Sequence, residues 1–463
     1  MLDKLKNISF LARKFNRNIY LTGGAVRDFI LDFPINDYDF AVENNTREIS
    51  YEFSKMISGK FIELDDKHNI YRIAKNGVEY DFTEFKGKNI TEDLLKRDFS
   101  INALAISHND FSYLNDISEK SRKIRKEILL DPANGKYDIK NSIIRALNSK
   151  IFVKDPIRLL RAIRFKAELG FNIEKNTEKM IIKNKKLINK SASERVHDEL
   201  IKIFSSEKSF ELIKYMEDKL GLFSEIFPEI DKLKITGKCR YHNEDVWVHS
   251  LDMLKLFEEF SKKNKISYFP DGNEIPLMKF AILFHDYGKI FSKTKENGVV
   301  HYYGHEKIGS EKAGKILLDL KFSKNEIKYI KTLVRYHMQP LYFYTDKKVS
   351  NKAIYNFFKK VGDLAPDIIF ISALDVGSTR RLNGQVNKAI SYWEYINTLL
   401  NKYYNMQSKL IEPLLNGKEI MEILDIKEGP KIGNIIEKLK EAQALGKVEE
   451  KDEAIKFIIK EFN

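Results

Sequence analysis

The sequence contains few of the residues that break or cross-link a chain. Its 463 residues include one cysteine, Cys239, while 22 glycines and 10 prolines make up about 7% of the chain, against an average near 12%. A single cysteine excludes a disulfide framework and any zinc site built from several cysteines. The shortage of glycine and proline favours a mostly helical protein.

Long apolar segments are missing as well. No stretch approaches the roughly 18 consecutive apolar residues typical of a transmembrane helix. The first residues, MLDKLKNISFLARKF, lack the apolar run of a signal peptide. We therefore expect a cytoplasmic protein without a membrane partner.

The charge balance indicates the kind of partner. Lysine and arginine outnumber aspartate and glutamate by 80 to 67, and 43% of the residues are hydrophobic. That hydrophobic content is enough to build a core and excludes a disordered tail. The surplus of 13 positive charges favours a polyanionic partner such as nucleic acid.

The two parts of the chain differ in their hydrophobic pattern. Up to about residue 120, short alternating runs predict strands, and helical periodicity between some of them, as in Thr46–Ile57, predicts an α+β segment. The predicted strands include residues 18–22, 38–42, 69–73 and 78–82. After Asp131-Pro-Ala-Asn-Gly the periodicity is helical to the C-terminus, as in Pro156–Leu169, and the polar stretch 232–238 is typical of a domain boundary.

The first candidate site combines a glycine turn with paired carboxylates. Gly23 and Gly24 follow a predicted strand and open a predicted helix, where backbone N–H groups can bind an anion. Asp37 and Asp39 alternate along one strand and therefore share a face of the sheet. Two like charges placed this close together are typical of a divalent-metal site.

A third carboxylate lies on a later predicted strand, in Glu79-Tyr-Asp81-Phe. Glu79 and Asp81 share a face, so the pattern leaves the choice between them open. A phosphate-binding turn, an Asp-x-Asp pair and a further strand carboxylate indicate a metal-dependent nucleotidyltransferase.

Five ordered motifs resemble those of bacterial tRNA nucleotidyltransferases, in the class that CCA-adding enzymes share with poly(A) polymerases. They are Gly23-Gly-Ala-Val-Arg27-Asp with Asp37-Tyr-Asp39, Lys96-Arg97-Asp98-Phe-Ser-Ile-Asn102-Ala-Leu, Asp131-Pro-Ala-Asn-Gly, Asp155-Pro-Ile-Arg158-Leu-Leu-Arg161-Ala-Ile-Arg164-Phe and Ser193-Glu-Arg-Val-His-Asp-Glu-Leu. The sequence departs from the family pattern at Lys96 and Lys154, where arginine and glutamate are usual.

The resemblance implies roles for the matched residues. Asp37, Asp39 and Asp81 would be catalytic, with Mg²⁺ bound by Asp37 and Asp39. The implied nucleotide-binding residues are Gly23, Gly24, Arg27, Arg97, Asp98, Asn102, Asp155, Arg158, Arg161 and Arg164.

Asp155 and Arg158 are predicted to choose the base. Residues three apart on a helix project from one face, which pairs a carboxylate acceptor with a planar guanidinium donor. This pair suits the amino group and ring acceptors of cytosine and adenine. Guanine and uracil would leave groups unpaired at roughly 1–3 kcal/mol each, so the resemblance implies that protein side chains select CTP and ATP.

Histidines and acids in the second half of the chain form another ordered set. Imidazoles and carboxylates from several helices can hold a divalent metal in a helical core. Their order resembles the HD superfamily of metal-dependent phosphohydrolases, which implies a divalent metal here and leaves its hydrolytic activity open. The matching ligands are His249, His285, Asp286 and Asp375, with His305 and His337 as accessory histidines.

These resemblances define the expected fold. The head is an α+β nucleotidyltransferase domain with a small mixed or antiparallel sheet, followed by an all-α neck and body and an all-α HD domain. The expected parts are residues 1–130 for the catalytic head, 131–235 for base selection and tRNA binding, 236–385 for the HD domain and 386–463 for a helical tail. Monomer and homodimer both stay open.

The expected reaction is template-independent addition of CMP, and of the terminal AMP, to the tRNA 3′ end from CTP and ATP, with release of pyrophosphate. CCA-adding members carry a longer flexible loop between the third-carboxylate strand and the second motif. Here only about residues 86–89 remain as a loop, which favours addition of CC alone. The alternatives are a poly(A) polymerase on general RNA and an HD phosphohydrolase with an RNA-binding head.

Overall fold

The computed structural model describes residues 2–114, 128–237, 244–263, 266–346, 348–409 and 412–462. Cys239 and the last residue of the polar stretch 232–238 lie outside these ranges. The strands are β1 (Ile19–Thr22), β2 (Asp37–Val42), β3 (Lys60–Asp65), β4 (Ile70–Lys75), β5 (Val78–Glu84), β6 (Ala105–Ser107), β7 (Leu129–Leu130), β8 (Ile143–Ile144), β9 (Asn172–Ile173), β10 (Thr294–Glu296) and β11 (Val299–His301).

Helices dominate the rest of the described chain. The first group is α1 (Leu2–Phe15), α2 (Gly24–Leu31), α3 (Thr46–Ile57), α4 (Ile90–Leu95), α5 (Gly135–Lys140), α6 (Lys150–Lys154), α7 (Arg158–Leu169), α8 (Lys175–Asn184), α9 (Ser193–Phe204), α10 (Ser209–Lys214), α11 (Phe223–Ile226) and α12 (Ile230–Leu233). The second group is α13 (Val246–Lys263), α14 (Ile275–Phe284), α15 (His305–Asp319), α16 (Lys324–Tyr336), α17 (Gln339–Thr345), α18 (Asn351–Val361), α19 (Ala365–Leu382), α20 (Val386–Lys409), α21 (Gly417–Leu424), α22 (Pro430–Ala444) and α23 (Lys451–Phe462).

The chain forms two compact units. One unit comprises Met1–Ala192 and Met216–Ile226, and the other comprises Ser193–Tyr215 and Phe227–Asn463. The first contains the α+β head and the second is largely helical, which confirms the expected fold class. The finer division into four parts stays a prediction.

The head is built on one seven-stranded sheet in the order β3-β4-β5-β2-β1-β6-β7. Its paired strands are antiparallel except β2 and β5, which run parallel, so the sheet is mixed. Alternation along β2 buries Tyr38 and Phe40 on one face, where they stack on Tyr80 and Phe82 of β5. Phe53 of α3 packs edge-on or tilted against the same two rings, which leaves the opposite face of β2 and β5 for the acids.

Two helices of the second unit are buried over most of their length. Nearly all side chains of α14, and those of α19 from Ala365 to Ser378, are buried, as expected for central helices of a bundle. The C-terminal helices α21, α22 and α23 enclose a separate core that includes Ile435, Leu439 and Ile458.

One hairpin in the second unit was not predicted. Strands β10 and β11 pair antiparallel around Asn297 and Gly298, which both have positive φ. Asn-Gly is a strong signal for a tight hairpin turn. The strands on either side of it are short, and the helical periodicity of the surrounding sequence does not predict them. Among the described residues, none of the helices combines the length and apolar character needed to cross a membrane.

Candidate active site and histidine cluster

The register of the sheet brings the predicted carboxylates together. Asp39 of β2 lies opposite Asp81 of β5, and Asp37 lies opposite Glu79. Adjacent strands are about 4.8 Å apart, so all four acids share one patch on the same face. Asp81 is the direct neighbour of Asp39, while Glu79 occupies the edge beside Asp37.

The electrostatics of this patch favour a cation. Loss of solvation in the crowded cluster, followed by the charges of Asp81 and Asp37, raises the pKa of Asp39 to about 6, although Arg97 opposes the shift. A carboxylate that is hard to ionise among other carboxylates gains most from a divalent metal. The oxygen-only donor set also fits Mg²⁺.

Sequence reasoning missed Arg72, which contacts this patch. From β4, Arg72 donates Nε to Asp81 Oδ1 and Nη2 to Asp81 Oδ2, both at 2.7 Å. Its Nη1 also pairs with Glu79. A single arginine in a predicted strand does not by itself indicate a functional residue. Arg72 lies beside the acids only because the pairing of β4 with β5 places it opposite Asp81.

The glycine turn approaches the carboxylates closely. Gly23 caps α2 with φ 69°, a conformation that favours glycine. A Cβ at this position would lie 2.8 Å from Arg97 Nη1 and 3.2 Å from Asp39 Oδ2. Because Gly23 has no side chain, the guanidinium of Arg97 and the carboxylate of Asp39 can lie close to the start of α2.

Arg97 is fixed by neighbours on α4 and β1. Its Nη2 donates to Thr22 Oγ1 at 2.9 Å and contacts Asp93 Oδ2 at 3.1 Å. The buried Asp93 also accepts the Lys86 N–H at 2.9 Å. Asp93 thus connects the segment after β5 to the guanidinium beside the glycine turn.

Asp98 joins the second motif to α7. Arg161 donates to Asp98 Oδ2 from Nε at 2.8 Å, and Asn102 donates to Oδ1 at 3.0 Å. Although burial opposes ionisation, Arg161, Asn102 and the Phe99 N–H together lower the pKa of Asp98. Asn102 in turn accepts a hydrogen bond from Arg27 at 2.9 Å.

The predicted helical placement of Asp155 is wrong. Asp155 ends α6 with extended backbone angles (φ −146°, ψ 93°), and α7 begins only at Arg158. Pro156 explains the break, because the residue before a proline is driven out of the helical region. The two side chains are nevertheless neighbours, with Arg158 Nε 3.8 Å from Asp155 Oδ2.

The last predicted arginine of α7 has a different partner. Arg164 pairs with Glu168 one turn along the helix at 2.8 Å and lies over the Phe165 ring. Arg158, by contrast, places Nη1 3.5 Å from the Arg97 carbonyl oxygen. The structure therefore brings Arg158 and Arg161 to the second motif and engages Arg164 with its own helix.

The predicted histidines and acids of the second unit form one buried cluster. His249 lies on α13 and Asp375 on α19, while His285 and Asp286 directly follow the end of α14. His305 begins α15 and His337 follows α16. Their ligand atoms form three overlapping sets in which the atoms lie within 4.8 Å of one another: His249, His285 and Asp286; His285, His337 and Asp375; and Asp286, His305 and His337.

Three of these imidazoles present Nε2 to the centre. Nδ1 of His285, His305 and His337 donates to a backbone carbonyl oxygen at 2.8–2.9 Å, which leaves Nε2 as the ring nitrogen that can bind a metal. Each Nε2 is buried, and those of His305 and His285 lie 3.2 Å and 3.4 Å from the oxygens of Asp286. A cation between these atoms and the carboxylates would satisfy both.

Two buried imidazoles of the cluster differ in their protonation: although burial opposes it, Asp286 and Asp375 raise the pKa of His285, whereas the pKa of His337 is lowered. Burial, followed by the neighbouring His285 and His305, lowers the pKa of His337 to about 3. His249 contacts Asp375 Oδ1 through Nε2 at 3.0 Å, and Ser378 Oγ lies 3.2 Å from its Nδ1. Neutral imidazoles beside ionised carboxylates are the ligand forms that bind divalent metal.

A cavity of about 730 Å³ opens beside the cluster. Its lining includes Asp286, Lys289 and Asp375, together with Tyr342 and Arg380. This volume is in the range of small-molecule sites.

Comparison with known proteins agrees with this geometry. A model of the poly(A) polymerase head domain matches residues 19–145, and one of a probable RNA- and SrmB-binding site of polymerase A matches 170–234. An HD-domain model matches 246–355, and a putative tRNA nucleotidyltransferase domain 2 matches 301–458. The fold and the carboxylate face define a nucleotidyltransferase with an HD domain. Over these matched regions the chain is similar to the nucleotidyltransferases of the CCA-adding enzyme family.

Two relatives match nearly the whole chain at the same sequence identity. The CC-adding tRNA nucleotidyltransferase of Thermus thermophilus is 28% identical over 453 residues, covering 96% of this chain and 93% of that protein. The A-adding tRNA nucleotidyltransferase of Deinococcus radiodurans is 28% identical over 445 residues, covering 95% and 94%.

Solved structures share the fold. A CCA-adding enzyme in complex with ATP superposes with a TM-score of 0.64 at 19% identity, over 100% of this chain and 95% of that one. The Thermotoga maritima CCA-adding enzyme complexed with tRNA gives a TM-score of 0.62 at 20% identity, over 99% and 95%.

Proposed function

We propose that the chain adds CMP to the 3′ end of tRNA from CTP, without a nucleic-acid template and with release of pyrophosphate. The observation that carries the proposal is the register that sets Asp39 beside Asp81, with Asp37 one step along the strand, next to the Gly23 turn. Poly(A) polymerase and stand-alone phosphohydrolase functions are not favoured, because the full-length relatives are named tRNA nucleotidyltransferases.

Asp37 and Asp39 would hold Mg²⁺, with Asp81 beside them. Bound there, the metal would neutralise phosphate charge and activate the attacking 3′ hydroxyl. The N–H groups at the start of α2 would bind the phosphates, and Arg97, fixed by Thr22 and Asp93, would add positive charge.

Asp155 and Arg158 would read the base. The carboxylate accepts from the amino group of cytosine while the guanidinium donates to its ring acceptors. Arg161 would hold this helix against the second motif through Asp98. The same pair also accepts adenine, so the pair alone does not limit the enzyme to CTP.

The connection between β5 and α4 supports addition of CC without the terminal adenosine. It comprises residues 85–89, and hydrogen bonds from its backbone to side chains of α4 fix it in place. The Lys86 N–H donates to Asp93, and the Lys88 N–H donates to Glu92 Oε2 at 3.1 Å. A connection that is short and held by hydrogen bonds cannot move far enough to change the shape of the base pocket for ATP. Because CC-adding and A-adding relatives are equally similar, this connection decides our choice.

The histidine cluster would bind a divalent metal through His249, His285, Asp286 and Asp375. Their ligand atoms belong to overlapping groups whose members lie within 4.8 Å of one another, which supports this assignment. The cytoplasm, where tRNA and nucleotides meet, is the proposed location.

The proposal is tested with three tRNAs that end before CCA, after the first C and after CC. Each is incubated with one labelled nucleoside triphosphate at a time. We expect CMP incorporation into the first two, and poor AMP incorporation into the third. Absence of CMP incorporation with every tRNA would refute the proposal, and AMP incorporation at a rate near that of CMP would refute the CC assignment.

A further inference from the structure

Arg72 is the least expected residue of the carboxylate face. Both Asp81 oxygens accept from its guanidinium at 2.7 Å, and Glu79 pairs with its remaining nitrogen. The ion pair is largely shielded, since the side chain of Arg72 is 29% exposed and that of Asp81 is 20% exposed. A bidentate, partly buried arginine pair is geometrically well defined.

We propose that Arg72 is the built-in counter-ion of the transferase carboxylates and weakens their affinity for divalent metal. This inference rests on the proposed function, because it assumes that Asp37 and Asp39 bind the metal. Arg72 is a positioning residue in this account, since it acts through Asp81.

The geometry makes Arg72 compete for Asp81. A carboxylate has about four lone-pair positions, and the fork of Arg72 occupies one on each oxygen of Asp81. When a metal binds at Asp39, the carboxylate of Asp81 is therefore already held by Arg72, and part of its negative charge is neutralised. Arg97 and Arg161, whose charges also act on Asp39, are paired with Asp93 and Asp98.

The charge balance gives the direction of the effect. Asp37, Asp39, Glu79 and Asp81 place four carboxylates on adjacent strands, and Arg72 cancels one of their charges. Cation affinity rises with the number of ligand charges, and Mg²⁺ is usually bound by one or two carboxylates together with substrate phosphates. Removing Arg72 should strengthen metal binding by the free enzyme, whereas a merely structural arginine would leave it unchanged or weaken it.

The test is a calorimetric titration with Mn²⁺, without nucleotide, on the full chain carrying H285A and D286A so that the histidine cluster does not contribute. In this background we expect R72Q to bind Mn²⁺ about three- to tenfold more tightly. R72K keeps the charge and should stay within about twofold of the parent. R47Q is the matched control, because Arg47 pairs with Glu63 elsewhere in the head and should have no effect.

A second measurement avoids the altered background. In the otherwise unchanged chain, the Mg²⁺ concentration for half-maximal CMP incorporation should fall in R72Q, or in R72M if R72Q does not fold. Equal or weaker metal binding in the charge-removing variants would overturn the role of Arg72. Mn²⁺ binding that survives D37A with D39A would instead overturn the proposed metal site itself.

Discussion

Asp98 and Arg161 are joined by two hydrogen bonds to one carboxylate oxygen, from Nε at 2.8 Å and from Nη2 at 2.7 Å. The pair connects the second motif to α7, which begins with Arg158. Asp98 is buried, and both of its carboxylate oxygens accept hydrogen bonds from protein groups. In this structure it therefore holds the side chains of Arg161 and Asn102 in place. We therefore expect this pair to help position α7, the helix that we propose reads the base.

A double-mutant cycle tests that dependence. D98N and R161Q should each lower kcat/KM for CMP incorporation by about 100-fold, and the double variant should lose little more, since both break one link. K166A is the control, because Lys166 lies on the same helix and hydrogen-bonds Asn172 instead, at 3.3 Å. Additive losses would show that the two residues act separately.

Gly23 should not tolerate a methyl group. G23A would place Cβ 2.8 Å from Arg97 Nη1 and should lower the rate of CMP incorporation at least about tenfold, because Arg97 must move. G77A is a matched control, since Gly77 has a similar φ of 75° with nothing within 4 Å of its added Cβ. Equal activity of the two variants would contradict the close approach.

The histidine cluster should bind metal independently of nucleotide addition. H285A with D286A should lose the metal measured by mass spectrometry after dialysis, because two ligands are removed, yet retain CMP incorporation within about twofold. H68A, which changes an exposed histidine of the head, should retain the metal. Loss of nucleotide addition in the folded double variant would show that the sites are coupled.

Asp367 should make the stability of the helical unit depend on pH. Burial raises its pKa to about 7, with Glu274 adding to the shift and the Tyr268 hydroxyl, which donates at 2.6 Å, opposing it. Between about pH 4 and 7 the folded state holds a proton that the unfolded state releases, so this contribution to stability is lost as pH rises through 7.

The D367N variant separates this effect from the rest of the protein. Its melting temperature relative to that of the parent should rise between pH 5 and pH 8, because asparagine stays neutral. D363N, at an exposed position nearby, should show no such change. A constant difference across this range would mean that Asp367 does not titrate there.

Local patterns in the sequence predicted much of the fold. Alternation placed β1, β2, β4 and β5, and helical periodicity placed α3 at its observed limits. The β10–β11 hairpin was missed because strands of three residues give weak periodic signals. Strand β3 is as long as β2, but its apolar residues Phe61 and Ile62 are adjacent and do not alternate with polar ones. The start of α7 was placed too early because the effect of Pro156 on Asp155 was not considered.

The candidate sites depended on pairing that no local pattern contains. The carboxylates could be predicted as a group, and the family resemblance implied Asp81, but the local pattern could not choose between Asp81 and Glu79 without the register of β2 and β5. Arg72 could not be predicted, since its role arises from the pairing of β4 with β5. The orientation of the Nε2 atoms in the histidine cluster likewise follows from backbone carbonyls that only the folded chain supplies.

The most direct test of the account is the 3′-end sequence of tRNA lacking CCA after incubation with the wild-type chain and all four nucleoside triphosphates. With the wild-type chain the tRNA should end in CC, and with D37A and D39A combined its end should be unchanged, since charge neutralisation at the phosphates would be lost. Binding of tRNA by that double variant should remain near the wild-type level. Unchanged ends with the wild-type chain, or more than a tenth of its rate in the double variant, would contradict the account.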